Sequence, residues 1–178
     1  MAKAPQSRFS LLGWLVAAVT APALAGGITS VILFFVETLP FLLSGSAPPD
    51  SLSQELLGLV RDLILGPLLS VPLGFVGACI FLAPAFFLAE IQPRPWLFVV
   101  AGGAAGTLHA ISGAVLAPLN AAPAWLAVAL GYLPYAFRPA ATLAFGFGAA
   151  GAGSIAGYVY ARIRTVKKPG LWPAWKGI

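Results

Sequence analysis

His109 is the only histidine in the chain, and it sits inside an uncharged apolar run from Pro95 to Phe137. An ionisable ring at such depth is uncommon and marks a candidate site for a metal or tetrapyrrole, a proton or a substrate. The plainer alternative is a neutral imidazole hydrogen-bonded to a neighbouring carbonyl or hydroxyl, with Ser112 within reach. A single histidine cannot supply both axial ligands of a bis-histidine haem, so that site is excluded within one chain. Cys79 is likewise alone of its type. It can form no intrachain disulfide or multi-thiolate metal site, and it reads as a small buried apolar side chain.

Other chemistry is harder to find. Gly146-Phe147-Gly148-Ala149-Ala150-Gly151 fits the spelling of a dinucleotide fingerprint but lies in an apolar run rather than after a strand. Glu37 and Asp62 flank apolar runs, where solvation is the ordinary role of a carboxylate. No His, Asp and Glu share metal-ligand spacing, and no nucleophile stands beside a recognisable base. The expectation is a chain that is not an enzyme, with no metal and no obligatory cofactor. One local pattern points the other way. Ala105-Gly106-Thr107-Leu108-His109 places a small residue one turn before the imidazole. Over these five residues the chain resembles the Ala-x-x-x-His arrangement of bacterial light-harvesting polypeptides, which implies a tetrapyrrole ligated by His109.

Small residues form a second pattern. Gly102, Gly106, Ala110 and Ala114 recur every fourth residue, and Gly146, Ala150, Gly153 and Gly157 populate a later run in which few side chains exceed serine. Such ridges let helix backbones approach closely and associate by dispersion inside a bilayer. The two ridges are expected to pack on each other, with small residues left over for a partner helix.

The elements that carry these residues are set by composition. Hydrophobic residues make up 60% of the 178, and charged residues only 8%. Four runs without any Asp, Glu, Lys or Arg (9–36, 63–89, 95–137 and 139–161) are each long enough for a hydrocarbon core of about 30 Å. The reading is an all-α integral membrane protein, a four-transmembrane-helix bundle in one domain covering residues 1–178. Spans are expected at about 9–36, 65–90, 96–119 and 139–164. Ser51 and Gln54 are spaced as a capping box ahead of an amphipathic stretch, which predicts an interfacial helix at about 51–64 that leads into the second span, with a bend at Pro67 and Pro72. A second is expected at about 123–133, too short to cross, followed at the chain's end by a basic tail over 165–178. Lys3 and Arg8 followed by an apolar run and Ala23-Leu24-Ala25 mimic a secretory signal, but the run continues to Val36 as a retained span would.

The net charge of +5 is distributed as in a membrane protein, not as in a nucleic-acid binder. Eight of the ten basic residues fall on the side of the termini and the second connection, and only Arg61 and Arg138 on the other. That bias predicts cytoplasmic termini in a membrane of the bacterial inner type. Arg162, Arg164, Lys167 and Lys168 would hold the tail against anionic headgroups or a partner. The function expected on these grounds is a non-catalytic accessory or structural subunit, packed against other membrane protein subunits and lipid, with no nucleic acid involved. A pigment-binding protein using His109 and a small oligomeric transporter or channel are the alternatives.

Overall fold

The computed structural model describes residues 10–44, 51–92, 94–116 and 139–166. Among them the chain is helical throughout, without a strand. The expected interfacial helix at 123–133 and the tail from Lys167 onward lie outside the described residues.

The first helix, α1 (Leu11–Leu33), starts at Ser10, whose Oγ accepts a hydrogen bond from the Gly13 N–H at 3.2 Å. That satisfies one of the donors a helix leaves unpaired at its start. It continues through a π-helical turn (Phe34–Thr38) into α2 (Leu39–Leu43). Pro40 lacks an N–H and would leave the carbonyl one turn back unpaired, and such local faults are where wide turns occur in helices. The unbroken run Leu11–Leu43 counts 33 residues, about 50 Å of helix at about 1.5 Å per residue. It therefore exceeds the expected 9–36 span at its far end and is long enough to tilt.

The next element joins two expected pieces. In place of an interfacial helix at 51–64 and a separate span at 65–90 there is one helix, α3 (Ser51–Ala89). It is bent by 66° between Ser51–Pro72 and Gly74–Ala89. The bend sits where Pro72 removes a backbone donor and Gly74 removes a side chain. No break occurs near residue 64, because that stretch packs on α1. A Cβ on Gly26 would lie 3.2 Å from the Gly66 carbonyl oxygen, and the Ser70 hydroxyl donates to the Pro22 carbonyl at 2.7 Å.

Helix α4 (Pro95–Leu116) and helix α5 (Pro139–Val166) both begin on proline, whose fixed φ and missing N–H suit a first helical position. Among the described residues three helices are long and apolar enough to cross a membrane, and up to four if the bent α3 counts as one span. The long elements form a ring in the order α1, α3, α4, α5 and back to α1. Neighbours in the ring bring their backbones close together, while the diagonal pairs have few close backbone approaches among the described residues. Ser10, Glu90, Phe98 and Tyr160 mark one end of the ring, called here the terminal end; the opposite, loop end carries Ser51 and Leu116.

Candidate functional site

The ridges meet as their spacing predicts, but with a different register. Gly102 faces the backbone of Gly153, Gly106 faces the Ala149 carbonyl, and Gly157 faces the Phe98 carbonyl. A Cβ at any of these positions would collide with opposing backbone, so glycine is what permits the approach. At this range Cα–H groups point at carbonyl oxygens, a recurring helix–helix contact worth a few tenths to about 1 kcal/mol each. Ala110 is buried at 7% exposure. The Ala150 carbonyl lies 3.6 Å from where Gly103 would carry a Cβ. Gly146 is off the interface, since a Cβ there would meet nothing within 4 Å. The side chain of Ala114 lies outside the described residues. Ala149 and the Phe98 backbone, neither of them in the expected ridge, complete the contact.

The terminal end is closed by a polar junction above an aromatic stack. Phe86, Phe98 and Tyr160 are the largest fully buried side chains. Phe86 and Tyr160 stack at 4.5 Å between ring centroids, with Phe98 tilted against Tyr160 at 5.2 Å. Above them the Tyr160 hydroxyl donates to Glu90 Oε1 at 3.0 Å and accepts from the Ser10 N–H at 3.2 Å. Arg164 pairs with Glu90 through Nη2 and Oε2 at 2.5 Å, and its guanidinium lies 5.4 Å from the Phe98 ring centroid. Glu90 is only 3% exposed. A carboxylate just past a helix C-terminus is disfavoured by the helix dipole, and the Arg164 charge offsets that penalty. One junction thus ties the ends of α3 and α5 to the starts of α1 and α4.

This placement revises the expected basic tail. Arg164 turns inward to Glu90 instead of outward to lipid or a partner, with its side chain 15% exposed. Arg162 does face out, its Nε–H donating to the Tyr158 hydroxyl at 2.7 Å. Lys167 and Lys168 lie outside the described residues. Glu90 was the residue to notice: of the five acidic residues, it alone falls on the side rich in Lys and Arg.

Among the described residues the loop end is open. Past the bend the first half of α3 diverges from α4, and the ring encloses a cleft of about 650 Å³. Its walls are mostly apolar, with Ala25 and Thr29 of α1 and Ala149 of α5 behind. His109 stands on its wall between two rings, stacked on Phe81 at 5.4 Å and edge-on to Phe145 at 6.5 Å. Ser112 does not bond the imidazole directly; its hydroxyl donates to the His109 backbone carbonyl at 2.8 Å. Most other hydroxyls in the spans return to their own helix, as Ser30 does to the Gly26 carbonyl at 3.0 Å and Thr107 to the Gly103 carbonyl at 3.0 Å. Thr29 is different. Its Oγ1 is shielded from solvent and has no hydrogen-bond partner among the described residues. On the rim the cavity-facing stripe of α3 presents Glu55, Gly58 and Asp62.

Among the described residues no three His, Cys, Asp or Glu side chains gather as a metal site. The arrangement offers a pocket with an apolar body, one imidazole on its wall and charge at its rim. Compared with known proteins, the chain matches no protein-family model, no curated sequence and no solved structure.

Proposed function

We propose that this chain is a non-catalytic membrane protein that holds one small amphiphilic molecule in the cleft between α3 and α4. The supporting observation is the cleft itself. Its volume of about 650 Å³ falls within the roughly 300–1,000 Å³ of small-molecule sites, which are mostly apolar with a few placed polar groups. An apolar chain would lie along Ala25 and Ala149. In the orientation favoured by the Lys and Arg distribution, the termini face the cytoplasm of a bacterial cell and the cleft opens toward the outer leaflet.

The accessory-subunit reading draws on a different surface. Leu56, Leu57, Val60 and Ile64 on the first half of α3 are exposed and would meet either lipid or a neighbouring membrane subunit. The small-residue ridges lend it less support, because α4 and α5 spend them on each other. A tetrapyrrole ligated by His109 would occupy the same cleft as the amphiphile.

The test is displacement of a fluorescent single-chain probe from the purified protein in phosphatidylcholine nanodiscs. Saturable binding should be lost in Gly58→Trp, which fills the rim at a position where a Cβ meets nothing within 4 Å. Binding that is unsaturable, or indifferent to that substitution, would sink the proposal. Visible absorption bands on the gently purified protein would replace it with the pigment reading.

A further inference from the structure

Resting on that binding reading, we infer that the occupant of the cleft carries a cationic head group: the site is built for a lipophilic cation with a single apolar chain. Glu55, Gly58 and Asp62 fall on one face of α3, with the two carboxylates seven residues apart, about 10 Å along the helix. Between them Gly58 leaves an open slot, since a Cβ there would meet no atom within 4 Å. A compact ammonium seated over Gly58 would lie within reach of both carboxylates.

Charge balance favours the same class. The rim holds Glu55, Arg61 and Asp62, a net charge of −1 from two carboxylates and one guanidinium. Arg61 is already committed: both its Nε–H and its Nη2 lie 3.0 Å from Asp62 Oδ1. An anionic head group would therefore have to break that pair and approach Glu55, whereas a cation meets Glu55 without displacing anything. Deeper in, the walls include the rings of Phe34, Phe81 and Phe145. Aromatic faces attract cations and accept the alkyl substituents of a quaternary ammonium. These features describe a graded site, acidic at the rim and aromatic within.

The experiment compares two probes with the same twelve-carbon chain, an alkyltrimethylammonium and an alkyl maltoside, in phosphatidylcholine nanodiscs. The wild type should bind the ammonium about three- to tenfold more tightly, the range expected for a partly solvated ion pair. Glu55→Gln with Asp62→Asn should abolish that preference while leaving maltoside affinity within about twofold. A thermal melt of the double variant guards against misfolding, and Glu55→Gln alone, remote from any packing contact, should show part of the loss. Equal binding of both probes by the wild type, or a preference that survives the double substitution, would overturn the cationic assignment and leave the binding reading standing. Failure of both probes to bind would overturn the binding reading itself.

Discussion

The two ends of this bundle are made from similar helices and behave in opposite ways. At the terminal end, Phe86, Phe98 and Tyr160 fill the centre of the ring, and Glu90, Arg164, Tyr160 and Ser10 pair with one another above them. At the loop end no comparable side chains reach inward from the described residues, and α3 leans away at Pro72. Large rings with a neutralised charge pair seal one end, whereas a proline bend and alanine walls leave the other hollow. The contrast separates two jobs within one small domain. The sealed end fixes the relative positions of the four long helices, and the hollow end is free to accommodate something else.

Breaking the seal should have the largest effect. Glu90→Leu would leave the Arg164 guanidinium buried without its carboxylate, and removing one partner of a buried pair costs about 3–5 kcal/mol. The resulting loss of thermal stability in detergent should be partly restored by Arg164→Met in the same chain. A silent Glu90→Leu would mean that the terminal end is not the anchored one. Next in size is the helix contact that joins both ends. Gly106→Leu should destabilise the protein by at least the roughly 1–3 kcal/mol typical of overpacking, because even its Cβ would strike the Ala149 carbonyl. Gly146→Leu should change stability by less than about 0.5 kcal/mol, as exposed positions do. Equal melting shifts for the two variants would refute the register of α4 on α5.

One further effect has the opposite sign and belongs to the hollow end. Thr29→Val keeps the shape of the side chain and removes a buried, unpartnered hydroxyl. It should raise stability by about 1 kcal/mol, measured by thermal melting. Destabilisation instead would show that the hydroxyl already has a partner.

Much of the fold was legible in the chain. Long uncharged runs require helices in a bilayer, and four-residue spacing of Gly102 and Gly106 marks a helix face that another backbone can approach. What spacing could not supply was the opposite surface, since Ala149 and the Phe98 carbonyl are ordinary in composition and matter only through their position. Gln54, Glu55, Arg61 and Asp62 suggest an interface up to residue 64, whereas the helix runs on unbroken there and bends at Pro72, one of the two prolines whose chemistry predicts a bend. Arg164 was assigned outward from charge counting, which is blind to a single buried partner. The cleft itself was not legible, because a cavity is what remains when helices diverge, and no residue type encodes it.

The bend in α3 has a mechanical consequence. A helix half set at 66° to its continuation occupies more membrane area and less membrane depth than an upright one. A thicker bilayer would favour a straighter α3, at fractions of a kcal/mol per ångström of mismatch. Straightening would move Glu55 and Asp62 relative to α4 and change the width of the cleft. The acyl chains around the protein would then act as a rheostat on occupancy, a coupling that binding measured in nanodiscs of differing lipid length would read out directly.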